Sequence, residues 1–183
     1  MTHLAILHYP DARLRQIAKP VTQVDDRVRQ LVADMLAILY ANENKAIGLA
    51  AIQVAVAQQV IVMDVSDQRN EPSVFINPEI IAYRGREKFL EGCLSLPNYW
   101  AEIERHAWVK VKALNEQGHA FELCAEGLLA DCLQHEIDHL QGKLLIDHLS
   151  TLKRERFFKQ FKKSNKYPQQ RASVPKNPST LSL

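Results

Sequence analysis

Between Val24 and Asn44 the apolar residues fall at Val28, Leu31, Val32, Met35, Leu36 and Leu39, a spacing that puts them on one face of a helix. Asp25 or Asp26 stands where the N-cap belongs. The period then changes. Val60–Val65 reads as a buried strand, ended by the polar turn from Ser66 to Asn70. Val74–Ile76 and Glu79–Tyr83 are two further strand candidates, with Pro78 as the break or edge between them. Trp108–Leu114 alternates apolar and polar positions, and Asn115–Gly118 turns the chain into a partner strand, His119–Cys124. Leu128–Gln141 has helical character, with Gly142 placed to end it. A last helix is predicted from about Ser150, its N-cap, to Lys163, with Leu152, Phe157, Phe158 and Phe161 available to dock it. Strands in the middle and helices toward both ends predict an α+β fold, mixed or antiparallel strands around a central helix with another helix at the C-terminus.

A chain of 183 residues, 46% hydrophobic and 24% charged, fits one soluble domain. That domain is expected over 1–164, and the Pro-, Ser-, Gln- and Asn-rich stretch 165–183 is expected to be a disordered tail. The net charge of +2 conceals an asymmetry. From Lys153 onward, nine Lys and Arg face a single acid, Glu155, so a net acidic body carries a basic end suited to a polyanion such as RNA or to a plain solvated face. The opening Met1-Thr2-His3-Leu4 has no cationic segment leading into an apolar core, and Ile47–Met63 is interrupted by Gln53, Gln58 and Gln59. Neither a secretory signal nor a membrane span is therefore expected, and the predicted location is cytoplasmic. Cys93, Cys124 and Cys132 are too few for a disulfide framework and read better as ligands or buried thiols.

The chemistry concentrates in His135-Glu136-Ile137-Asp138-His139. Residues i and i+4 of a helix share a face, so both imidazoles can reach one ion, while Glu136 stands beside them as a base for water. A catalytic site of this kind needs a third protein ligand. Asp147 and His148, past Gly142, are weak candidates. Cys132 would crowd the ion from the same helix and fits better as a pocket wall. Cys93, within Glu91-Gly92-Cys93-Leu94-Ser95-Leu96-Pro97 at a chain bend, is preferred. Cys124, in an alternating strand, reads as core. Gln53 closes the apolar run Ile47-Gly48-Leu49-Ala50-Ala51-Ile52, where it needs a polar partner if buried.

Taken together and in this order, Ile47–Gln53, Glu91–Ser95 and Gln134–Leu140 resemble the three motifs of peptide deformylases, and the likeness runs from Tyr9–Arg15 to about Leu152. The resemblance implies a metal-dependent hydrolase that removes the N-formyl group from nascent polypeptides beginning with formyl-methionine. It implies one divalent ion per chain on Cys93, His135 and His139, with Fe2+ in the cell and Zn2+, Ni2+ or Co2+ able to replace it in purified protein. Glu136 would be the general base, and Gln53 and the Leu94 N–H would hold the carbonyl oxygen as it gains charge. The peptide would pair as an added strand with backbone near Ile47, Gly48 and Leu94–Pro97. Its methionine side chain would enter a pocket of Gly48, Phe89, Glu91, Leu128, Asp131, Cys132 and His135, with Gly92 also at the substrate. The ribosome is the implied partner of the basic C-terminal helix; neither DNA nor membrane is implied.

Three positions depart from the family's pattern. Ala46 replaces a glycine, Asp131 a residue that is usually apolar, and Trp100 one that is often charged. None removes a ligand, so they bear on specificity. Two other readings of the motifs are a general metallopeptidase, which requires a downstream third ligand, and a non-catalytic metal- or ribosome-binding relative, which has no use for Gln53, Cys93 and Glu136 together.

Overall fold

The computed structural model describes residues 4–41 and 46–166, with side chains to residue 162. The chain divides into two compact units, Met1–His148 and Leu149–Leu183. The first contains helix α1 (Asp26–Ala41), strands β1 (Gly48–Ala50), β2 (Val60–Met63), β3 (Ser73–Arg84), β4 (Glu87–Cys93), β5 (Leu96–Arg105), β6 (Trp108–Leu114) and β7 (Ala120–Glu126), and helix α2 (Gly127–Leu140). Five strands form an antiparallel sheet in the order β1-β2-β3-β6-β7; β4 and β5 pair separately as an antiparallel hairpin. The α+β class and the antiparallel pairing are those expected.

Strand β2 is Val-Ile-Val-Met and is buried on both faces, because a helix covers each side of the sheet there. Val60 and Val62 pack with Val28, Leu31, Val32, Met35 and Leu39 of α1. Ile61 and Met63, pointing the other way, pack with Ala130, Leu133, Ile137 and Leu140 of α2. The Asp25 carboxylate accepts from the N–H groups of Arg27 and Val28, which identifies Asp25 as the N-cap of α1. Gly142 adopts φ 71° just past α2, and a Cβ there would stand 2.5 Å from the Arg15 carbonyl oxygen, so a glycine is required at this stop.

Four expectations need correction. The two strands predicted on either side of Pro78 are one strand, β3, whose register shifts between Ile76 and Glu79; Asn77 takes φ 53° in that bulge, so the missing N–H of Pro78 interrupts no continuous ladder. The hairpin β4–β5 is absent from the expected strands, because Glu91 and Arg105 take inward positions while Leu90 and Trp100 face outward, which breaks the apolar alternation. Cys124 is exposed rather than core, since Phe121, Leu123 and Ala125 take the inward parity of β7. In the second unit, helix α3 spans Thr151–Lys166 with Ser150 Oγ accepting from the Lys153 N–H as its cap; Phe157 packs on Phe158 and Phe161, whereas Leu152 is exposed. The tail expected over 165–183 lies, from residue 167, outside the described residues. Among the described residues no helix is long and apolar enough to cross a membrane.

Candidate metal and catalytic site

Helix α2 is buried almost continuously from Ala130 to Leu140, and this stretch includes Asp131, Gln134, His135, Glu136 and His139. Burying so many polar side chains is costly unless they are paired or ligated, so each has to be accounted for. His135 and His139, one turn apart, lie with ring centroids 5.0 Å from each other. Opposite them, β4 ends at Cys93, where a tight turn through Leu94 and Ser95 brings Leu96 back to pair with it. Cys93 Sγ is 3.2 Å from His139 Nε2, and the ligand atoms of Cys93, His135 and His139 all lie within 4.8 Å of one another.

The donor set fits a divalent transition-metal ion. His135 Nδ1 lies 2.7 Å from Glu91 Oε2, so that nitrogen carries its proton toward the carboxylate and leaves Nε2 as the ligand. Burial alone would raise the Cys93 thiol, but the adjoining His139 and His135 hold it well below its ordinary value, which favours the thiolate that a metal needs. His139 Nδ1 is buried without a hydrogen-bond partner. Cys132, the rival ligand, lies outside the cluster; its Sγ would stand 2.7 Å from a Cβ at position 48. His148 instead bonds Asp138, and Asp147 pairs with Arg15.

Glu136 faces the same space. A Cβ at position 48 would come within 2.5 Å of its Oε1, so Gly48 is what lets β1 approach the carboxylate. Its Oε2 is buried with no partner, and burial raises its pKa despite the pull of His135 and His139, as suits a proton acceptor. Gln53 is held from both ends. Its Oε1 accepts from the Ala50 N–H at 2.8 Å, which aims Nε2 at Ser95 Oγ (3.2 Å) and Cys93 Sγ (3.7 Å). The N-terminal segment ties the same two motifs together, with the Leu7 N–H donating to the Gln53 carbonyl and the Tyr9 N–H to that of Ser95.

Sequence reasoning missed the charged frame behind the ligands. Arg105, 5% exposed, donates to both Glu91 oxygens at 2.7 and 3.0 Å and to Asp138 at 2.5 Å. One guanidinium therefore spans the partner of His135 and the neighbour of His139. Burial would raise both acids, but His135 and Arg105 hold Glu91 down to about 2, and His148 and Arg105 hold Asp138 down to about 2. A signal was present: Ala101, Ile103 and Arg105 share the inward parity of β5, where an arginine demands acidic partners.

Of the expected pocket residues, Gly48 and Cys132 lie together, with the Glu136 carboxylate beside them, and Glu91 lies against both Asp131 and His135. Asp131 is buried, and burial, with Glu91 against it, raises its carboxyl to about 7. Ile47 and Phe89 are half-buried and Leu128 is exposed. Gly92 lies under the Trp100 ring, 2.8 Å from where its Cβ would be.

The profile of the polypeptide deformylase family matches residues 3–155. Peptide deformylase 1 of Burkholderia multivorans is 55% identical over 164 residues, 89% of this chain and 90% of its own. The peptide deformylase of Pseudoalteromonas translucida is 53% identical over 167 residues, 91% and 99% of the two chains. Among solved structures, a peptide deformylase from Legionella pneumophila superposes with TM-score 0.83 at 42% identity, covering 92% of this chain and 99% of that one.

Proposed function

The chain belongs to the polypeptide deformylase family, an enzyme family whose reaction is removal of the N-formyl group, and from that premise we propose how its own residues carry the reaction. The observation that carries the reading is the convergence of Cys93, His135 and His139 beside a buried, unpartnered Glu136. Those three residues would hold one divalent ion, ferrous iron in the cell, and the same donors would accept zinc, nickel or cobalt. When bound, the ion would supply Lewis acidity toward water and a carbonyl near neutral pH.

The protein's residues do the rest. The formyl-methionyl chain lies extended against the backbone near Ile47 and Gly48 on one side and Leu94–Pro97 on the other, which orients the formyl carbon. Glu136 accepts a proton from water at its carboxylate and delivers it to the departing amine. Gln53 Nε2, fixed by the Ala50 N–H on its other end, donates to the formyl oxygen as charge gathers there, together with the Leu94 N–H. Arg105 and Glu91 keep the His135 ring turned toward the ion. Phe89, Glu91, Leu128, Asp131 and Cys132 surround the methionine side chain, and Gly92, with the Trp100 ring packed on it, lies at the edge of the peptide site. We place the protein in the cytoplasm, where the basic helix α3 brings it to ribosomal RNA.

Substitution separates the candidate thiols. Cys93→Ser is expected to lose bound metal, measured by elemental analysis after dialysis, while Cys132→Ser and Cys124→Ser retain it. Metal lost from Cys132→Ser and kept by Cys93→Ser would reverse the ligand assignment.

A further inference from the structure

The inward positions of β4 and one face of α2 meet in register: Cys93 with His139, and Glu91 with His135. Two residues of strand advance about 6.7 Å, and four residues of helix about 6 Å, so the match continues for another step. By that spacing the next pair in line is Phe89 on β4 and Asp131 on α2. Asp131 is 6% exposed and its carboxyl touches that of Glu91, yet Oδ1 is buried and receives no hydrogen bond.

Two carboxyl groups touch only with a proton between them, and Glu91, kept ionised by His135 and Arg105, has none to give; the Asp131 carboxyl therefore donates to Glu91, and its remaining lone pairs are acceptors without a donor. The Glu91 oxygens are themselves taken by Arg105 and His135. Cys132, next to Asp131 in α2, has only a weak donor. Beyond Asp131 the seam opens toward solvent, for Leu128, one turn earlier on α2, is 49% exposed. An unmet acceptor thus stands beside the space assigned to the side chain of the formyl-bearing residue. An occupant that can donate recovers the cost of burying it; an alkyl chain or a thioether cannot.

We propose that Asp131 makes this pocket a hydrogen-bond acceptor, so that a neutral side chain bearing an N–H donor, such as a primary amide, is held in preference to an apolar side chain of the same size. The assignment rests on the formyl-peptide reading above and adds to it a residue that sets specificity.

Calorimetry on the metal-loaded full chain tests it, with Glu136→Ala as background so that bound peptides are not consumed. The probes are formyl-Gln-Ala-Ser and formyl-norleucine-Ala-Ser. The ratio of their dissociation constants should favour glutamine, and Asp131→Leu should erode it by about tenfold. Asp131→Asn, which keeps an acceptor oxygen and can donate to Glu91, should preserve the preference. Tighter binding of norleucine by the chain with Asp131 intact, or an unchanged ratio in a folded, metal-loaded Asp131→Leu protein, would overturn the proposal. Formate release from formyl-Met-Ala-Ser by the unsubstituted chain reports on the underlying reading separately, because the binding ratio does not depend on turnover.

Discussion

Gly48 shows how closely the site is built at the scale of single residues. Its missing side chain is the room occupied by Glu136 Oε1 and Cys132 Sγ, at 2.5 and 2.7 Å from where a Cβ would be. Gly48→Ala therefore has to push the proposed base or the β1 backbone aside. The expected result is a loss of about 10²-fold in kcat/KM on a formyl-Met tripeptide, with metal content close to that of the parent and a lowered thermal midpoint. Near-parental turnover would show that Glu136 has more freedom than its packing implies. At this scale the sequence was most legible where chemistry and spacing coincide: His135 and His139 declare themselves by an i, i+4 interval on a helix. Glu91 was less legible. It was read as a pocket residue, and its hydrogen bond to His135, 44 positions away, has no signature in local spacing.

Elements rather than residues deliver the charged frame. Strand β5 presents Arg105 to β4 through Glu91 and to α2 through Asp138, so one side chain locks the hairpin to the helix behind both ligand histidines. Removing it leaves Glu91 and Asp138 as buried carboxylates without their cation, which is more costly than the pair itself is stabilising. Arg105→Met is expected to weaken metal binding or activity by about 10- to 100-fold, with a lower melting temperature, measured by metal competition and thermal unfolding. Unchanged metal affinity would mean that Glu91 orients His135 unaided. Helices α1 and α2 and strands β2, β6 and β7 could be read ahead because their apolar positions face the two apolar clusters on either side of the sheet. The hairpin could not. In Glu87-Lys88-Phe89-Leu90-Glu91 the inward positions are a half-buried aromatic and a carboxylate kept inside by Arg105 and His135, so binary patterning fails where function requires polar residues inside. The parity error at Cys124 and the merged strand across Asn77–Pro78 have a related origin, since one bulge or a one-residue shift exchanges faces.

For the whole molecule, the family's profile ends at residue 155, within α3, and the proposed RNA contact of that helix depends on charge rather than on a fitted site. Replacing Arg154, Lys159 and Lys162 with glutamine should lower ribosome co-sedimentation at low salt and flatten its salt dependence, while leaving hydrolysis of short formyl-peptides unchanged. Equal co-sedimentation would reduce the basic helix to a solvated face. The central claim is that formyl-amide hydrolysis occurs at the Cys93–His135–His139 cluster with Glu136 as its base. Formate release from formyl-Met-Ala-Ser, compared between the parent chain and Glu136→Ala at equal metal content, addresses it most directly. The parent should release formate and leave the peptide bonds of Met-Ala-Ser intact, and Glu136→Ala should be slower by about 10²–10⁴-fold. Shortened peptides in place of formate, or equal rates from the two metal-loaded proteins, would contradict it.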